Sequence, residues 1–406
     1  MLIKFICTFA EANKSGFVTR AQPQKIVMGI FTLPPKPPRA DLDIESYLKS
    51  GAIETPVRRF RRTLAAEWFP QSGVMLTWPH EATDWATMLE KVTETYIRMA
   101  YEIATREKLI IVHPRPEEVS SLLAHRLPLR ATDNIIYIGL PTNDTWARDH
   151  AFLSVIGSGK VELMDFCFNA WGGKFEAELD NAINRGLFES GVLEGEYVPH
   201  LDFELEGGSV ESDGMGTLLT TKACLLNENR LRGEHSDVGQ ALSEWLGVSN
   251  ILWLEHGHIA GDDTDCHIDT LARLCPANTI AYVSCDDEKD EHYEDLKQME
   301  KELESFKDAE GRDFQLAPLP LPAPIVEDGE RLPATYANFL IMNRAILMPT
   351  YAQADNDEKA CSIVQKIFPK YDVVPIDCRS LIKQHGSLHC ATMQFPRGAI
   401  KACQKI

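Results

Sequence analysis

The chain has 406 residues, 44% of them hydrophobic and 25% charged, which is ample for a buried core and excludes wholesale disorder. Its formal net charge of −19 would repel a nucleic-acid duplex or an anionic membrane, so neither is expected as a partner, whereas the sign suits a small cationic ligand. No window approaches the ~20 apolar residues of a membrane span, and ten scattered cysteines without a C-x-x-C pair read as reduced thiols in a cytoplasmic setting.

The first stretch, Met1–Ala40, carries Lys4, Lys14, Arg20, Lys25, Lys36 and Arg39 against the single acid Glu11. It resembles a targeting segment only faintly, because no clean small-residue cleavage site follows Leu2–Ala10. Pro34–Pro38 reads as an extended linker. Residues 1–62 are therefore a tail, and one domain is expected over 63–406, with folding beginning near Ala65. From there strand-like runs alternate with amphipathic stretches. Gly73–Trp78 is a strand, followed by a helix from an N-cap at Asp84 to about Glu107, then strands at Leu109–Val112 and Asn134–Ile138. A second unit starts near Trp146 and includes Val161–Phe168. A third runs from Phe203 through Thr217–Thr221, a helix near Gly239–Leu246 and Ile251–Leu254. A fourth holds Thr279–Val283, a charged helix over Asp290–Lys307 and Phe314–Pro318. A fifth holds Ala337–Ile341, Ala345–Met348, a helix near Asp357–Phe368 and Val373–Ile376. Five such units predict an α/β chain with internal pseudo-symmetry. Gly207-Gly208, Gly214 and Gly216 lack the Lys-Ser/Thr of a phosphate loop and read as hairpin turns.

Four stretches set polar residues inside apolar runs: Asn143–Asp149, Leu205-Glu206-Gly207-Gly208-Ser209, Gly261–Asp269 and Gly386-Ser387-Leu388-His389-Cys390. They supply carboxylates, an imidazole and a thiol. Those are the parts a metal-free hydrolase of a planar cation would use: carboxylates to grip the fork of N–H donors, a thiolate to attack the carbon, and a histidine to move protons.

The order and spacing of Trp146-Ala147-Arg148-Asp149, Leu205–Ser209, Thr264-Asp265-x-His267-Ile268-Asp269 and Gly386-x-x-His389-Cys390 closely resemble the agmatine deiminase family of the guanidino-group-modifying (pentein) superfamily. The resemblance runs from about Leu64 to Pro396. It implies a five-bladed α/β propeller with pseudo-fivefold symmetry, a small cationic guanidine substrate (agmatine), no cofactor, no metal and a homodimer. It implies Cys390 as nucleophile, His267 as general acid/base, Asp149 and Asp269 as the guanidinium clamp, Glu206 as a further acid on the guanidinium side that positions the histidine, and Trp146 as pocket wall. It also places the chain in putrescine biosynthesis. Two positions depart from the family's pattern: His150-Ala151-Phe152 where Gly is usual, and Cys266 where a small or polar residue is usual.

Plainer readings stand beside these. A cysteine is by default a buried small hydrophobe, and an acid beside glycine a turn residue, as expected for Asp144, Asp213, Asp262 and Asp263. On a strand, His389 would point away from Cys390 and serve structure, while Asp265, His267 and Asp269 would share one face. Arg148 reads as a structural ion pair. Three rival functions are a free-arginine or peptidylarginine deiminase, a non-catalytic binding protein on the same fold, and a metal-dependent ureohydrolase, the last lacking its Asp/His clusters.

Overall fold

The computed structural model describes residues 62–157, 159–230 and 237–401. The expected tail and linker lie outside the described residues, apart from Arg62. The fold is α/β and is built on five sheets of three or four strands, plus a small hairpin at Val326–Arg331.

One connection recurs five times: a central strand, a helix-bearing crossover, and a parallel neighbour. In the first sheet Gln71–Thr77 leads through α1 (Leu89–Ala104) to Lys108–His113, and on through α2 (Pro116–Arg126) to Ile135–Gly139. In the second, Lys160–Cys167 leads through α3 (Ile183–Glu189) to Glu196–Glu204. In the third, Thr217–Thr221 leads through α4 (Val238–Leu246) to Asn250–Leu254. In the fourth, Thr279–Ser284 leads through α5 (Tyr293–Ser305) to Gln315–Pro320. In the fifth, Ala345–Thr350 leads through α6 (Ala354–Ile367) to Asp372–Asp377. Each central strand also has an antiparallel partner: Thr392–Pro396, Leu153–Gly157, Val210–Ser212, Ala272–Cys275 and Leu340–Met342 in turn. The first of these comes from the far end of the chain, so the last described strand joins the first sheet.

The sequence explains these elements. Val92, Tyr96, Ile97, Ala100 and Ile103 recur at helical spacing and are buried on one face of α1, against a cluster shared with the fifth sheet and α6. Burying such side chains contributes roughly 1.5–3 kcal/mol each. Leu296, Met299 and Leu303 do the same for α5. The Asp237 carboxylate accepts the Gln240 amide at 2.9 Å and starts α4. Asp84 does not cap α1: a 3-10 turn at Ala86–Met88 intervenes, and the helix begins at Leu89 without a side-chain cap. The predicted strand at Ala337–Ile341 is instead a buried turn, with the strand starting at Leu340. Among the described residues no helix is long and apolar enough to cross a membrane.

Candidate active site

The antiparallel strand of every sheet is preceded by a short turn, and these five turns meet. They are Trp146–His150, Glu206–Ser209, His267–Thr270, Ala337–Phe339 and His389–Ala391. Hydrogen bonds tie one turn to the next. The Arg148 amide donates to the Cys390 carbonyl at 3.0 Å, and the Gly208 amide to Asp149 Oδ1 at 2.9 Å. Asn338 Nδ2 donates to the Asp269 carbonyl at 3.3 Å, and the His389 amide donates to Asn338 Oδ1 at 2.9 Å.

All of Asp149, Glu206, His267, Asp269 and Cys390 are buried here, together with Trp146. Cys390 Sγ lies 3.7 Å from Asp269 Oδ2 and receives the Asn338 Nδ2 donor at 3.2 Å. Burial, with the charges of Asp269 and Asp149, pushes the Cys390 thiol well above its ordinary range. Asp149 is pushed up to about 6 by burial, with Asp269 and Glu206 adding to the rise and His267 opposing it. Burial also opposes the charge on Asp269, but the His389 hydrogen bond at 2.7 Å, helped by His267 and Arg273, holds its carboxyl below the usual carboxylate range.

His267 is wholly buried, and Nδ1 sits 3.6 Å from Asp149 Oδ1. Burial disfavours its charged form, yet Asp149, Cys224 and Glu206 outweigh that and raise it well above 6.5. Among the described residues neither ring nitrogen meets a hydrogen-bond partner of normal geometry. Both ring nitrogens are therefore open inside a site rich in carboxylates.

Gly208 makes this convergence possible. A Cβ there would fall 2.7 Å from both Asp149 Oδ1 and His267 Nδ1, and 3.2 Å from Asp269 Oδ2. The pair Gly207-Gly208 therefore belongs to the site and not to a hairpin turn; that turn is made by Gly214 and Gly216, at φ 68° and 109°.

Two further expectations are corrected. Asp265, His267 and Asp269 do not share a strand face, because Asp265 and Cys266 adopt left-handed φ values of 64° and 69° and a 3-10 turn follows at Ile268–Thr270. Asp265 turns away to Lys174, Asn229 and Arg230. His389 precedes the strand at Thr392, so strand alternation does not apply to it. Its Nδ1 meets Asp269 and its Nε2 meets Glu67 Oε1 at 2.6 Å, which makes it the direct support of a site carboxylate.

Behind the turns lies a buried ionic layer. Arg148 pairs with Glu67 at 3.1 Å and with Gln394. Arg273 pairs with Glu67 and Glu211 and donates to the carbonyls of Ala337 and Phe339, fixing the turn that carries Asn338. Arg230 Nε donates to Glu206 Oε1 at 3.0 Å. Among the described residues two donor sets have metal-like spacing, Glu206–Cys224–His267 and Glu67–Glu211–His389. In each, a buried arginine already neutralises the carboxylates, so a second cation would be opposed.

A cleft of about 380 Å³, part of it open to solvent, leads down to Cys390 and Asp149, walled by Trp146, Trp171 and Phe175. Its lining also holds Asp84, Asp144 and Asp263 and includes no Arg or Lys. A Cβ at Gly386 would overlap the Trp146 indole, which accounts for that glycine. Asp144 is pushed up to about 7 by burial and by the Asp84 charge, and it accepts the Trp146 indole N–H at 3.0 Å. The turn-residue reading thus fits Asp213 and Asp262, which accept nearby amides, while Asp144 and Asp263 face the cleft. Asn338, Trp171, Arg230 and Cys224 are site residues that sequence reasoning did not single out.

The family model for Porphyromonas-type peptidyl-arginine deiminases matches residues 63–396. The chain belongs to this family. A curated relative in the family's range, "Putative agmatine deiminase" of Legionella pneumophila (strain Paris), is 34% identical over 350 residues, covering 85% of this chain and 98% of its own. The solved structure of the "Putative Arginine Deiminase" of Porphyromonas gingivalis superposes with a TM-score of 0.78 at 47% identity, covering 84% of this chain and 100% of that one. A Cys-to-Ser variant of agmatine deiminase from C. jejuni with substrate bound superposes with a TM-score of 0.76 at 38% identity, covering 83% and 97%.

Proposed function

We propose that this deiminase hydrolyses agmatine to N-carbamoylputrescine and ammonia through a covalent intermediate on Cys390. One observation carries the reading: Cys390 and Asp149 stand at the foot of a cleft whose lining holds three further acids and no Arg or Lys, with the His267 imidazole against Asp149 and the Asp269 carboxylate against Cys390. Asp149 and Asp269 grip the two edges of the guanidinium, and Trp146 packs along the aliphatic tail. The cation favours ionisation of Cys390. The thiolate attacks the guanidinium carbon, forming a C–S bond. Protonated His267 gives its proton to the departing nitrogen, the C–N bond breaks and ammonia leaves. A thiouronium remains on Cys390. Neutral His267 then takes a proton from water as hydroxide adds to the same carbon; the added hydroxyl gives its proton to the departing sulfur, the C–S bond breaks, and the ureido product and the Cys390 thiol are released. Glu206, held by Arg230, is one of the groups that favour the protonated form of His267.

Asp84, Asp144 and Asp263 support agmatine over free arginine. They suit a terminal ammonium and would repel an α-carboxylate. We further propose that the five sheets are the blades of a five-bladed α/β propeller, with residues 63–406 forming the catalytic unit. The repeated sheet order and the ring of turns support this. A homodimer and a cytoplasmic setting belong to the same reading.

The test is an ammonia and ureido-product assay on agmatine, free arginine and a blocked arginine peptide, with Cys390→Ala alongside. Turnover of agmatine that is lost in Cys390→Ala is the expected result. Turnover of the peptide or of arginine in preference would keep the chemistry and overturn the substrate.

A further inference from the structure

Trp171 sits in an unusual stretch of backbone. Four successive residues, Ala170, Trp171, Gly172 and Gly173, have φ values of 51°, 56°, 92° and 77°. For Ala and Trp this left-handed conformation costs on the order of 1 kcal/mol each, so the surroundings must impose it. They do. Asn169 Oδ1 accepts the Gly172 amide at 2.8 Å, and Asn169 Nδ2 donates to the Asn229 carbonyl at 3.1 Å. A Cβ at Gly172 would overlap the Asn229 side chain. Lys174 closes the turn by pairing with Asp265 at 3.0 Å and bonding the Asp263 carbonyl.

What this backbone delivers is one hydrogen bond at the reacting centre. The Trp171 indole N–H donates to Asp149 Oδ2 at 3.0 Å. The ring itself stands edge-on between Phe168 and Phe175, with centroids 5.3 and 5.8 Å away, and lines the cleft. The other Asp149 oxygen takes the Gly208 amide at 2.9 Å. Two N–H donors, one per oxygen, fix the carboxylate plane and leave a lone pair on each oxygen for a planar fork of donors. A ring placed for packing alone would need neither the indole nitrogen nor the left-handed turn.

We propose that Trp171 is a positioning residue that sets the plane of Asp149 through its indole N–H, and that the Ala170–Gly173 turn is the device that holds it there. The proposal rests on the deiminase reading only for the task given to Asp149. The charged or ionisable groups around Asp149 are His267, Asp269, Glu206 and Cys390, and substitution of Trp171 alters none of them.

Trp171→Phe keeps the aromatic wall and removes the donor. In its pH profile of kcat/KM, the limb set by Asp149 ionisation moves to higher pH by about half a unit or more, because a lost donor disfavours the charged carboxylate. At neutral pH kcat/KM falls about tenfold, mainly through kcat. Trp146→Phe, which loses a bond to Asp144 instead, raises KM and leaves that limb in place. A Trp171→Phe profile with an unmoved limb and only a raised KM would reduce the residue to a wall and overturn the proposal. A second readout needs no substrate. In Cys390→Ala, the Trp171 indole N–H cross-peak titrates with a midpoint near 6, the value of Asp149, and this dependence vanishes when Asp149→Asn is added. If the wild type deiminates no guanidine, the function falls and this titration alone decides the proposal; a peak blind to Asp149 overturns it.

Discussion

Cys390 is held as a thiol by the same carboxylates that would clamp a guanidinium. Burial raises it first, and Asp269 and Asp149 add their repulsion. A bound cation between those carboxylates removes the repulsion, so nucleophile activation should follow substrate binding. The rate of alkylation of Cys390 by iodoacetamide, measured against pH, should therefore show a midpoint at least about one unit lower with a non-reactive guanidinium ligand than without it. An unchanged midpoint would count against activation by substrate. His267 runs the opposite way. Asp149, Cys224 and Glu206 raise its pKa above the ordinary imidazole range, so activity that needs the proton on the ring would be lost as pH rises through that raised value. At this scale most of the site was legible: Asp149, Glu206, His267, Asp269 and Cys390 stand in dense polar motifs. Asn338 was not, because a single amide inside the apolar run Ala337–Ile341 has the pattern of a strand. Trp171 was not, because an aromatic residue beside two glycines carries no sign of which carboxylate it meets.

At the scale of the element, five short turns ahead of five strands decide where every site residue points. They are only three to five residues long, and a turn of that length shows no periodicity. That is why strand alternation misplaced Asp265 and gave the wrong reason for the supporting role of His389. The central strands and the long helices were legible, since Val92–Ile103 and Leu296–Leu303 repeat at helical spacing over several turns. The antiparallel strands Ala272–Cys275 and Thr392–Pro396 are short and wholly buried, so they show no alternation to read. The turn at Gly207–Ser209 has no room for a side chain at Gly208. Gly208→Ala would drive a methyl against Asp149 and His267, and a shift of a few tenths of an ångström or more in either misaligns the attack. It should lower kcat/KM at least about a hundredfold, while far-UV circular dichroism and the melting temperature stay close to wild type. Retained activity would mean that the turn is looser than its geometry indicates.

At the scale of the molecule, the recurring order of strand, helix and parallel strand turns five dissimilar sequences into five similar supports. The recurrence was visible in the sequence, but how the sheets meet was not, because the ties between them are single side chains and isolated backbone hydrogen bonds between short turns. Arg273 links the fourth sheet to the turn before the fifth through Ala337 and Phe339, and Glu67 links Arg148, Arg273 and His389. Breaking such a buried pair costs roughly 3–5 kcal/mol, so this layer holds the turns in register as well as stabilising the fold. In the proposed mechanism the whole architecture serves one event, attack by Cys390 on a guanidinium carbon. That event is tested most directly by rapid quenching during turnover of agmatine, followed by mass spectrometry of the intact chain and its peptides. The mechanism predicts a transient adduct with the mass of agmatine less ammonia, carried on the Cys390 peptide and absent from Cys390→Ala. Turnover with no adduct at any quench time, or with the adduct on another cysteine, would contradict it.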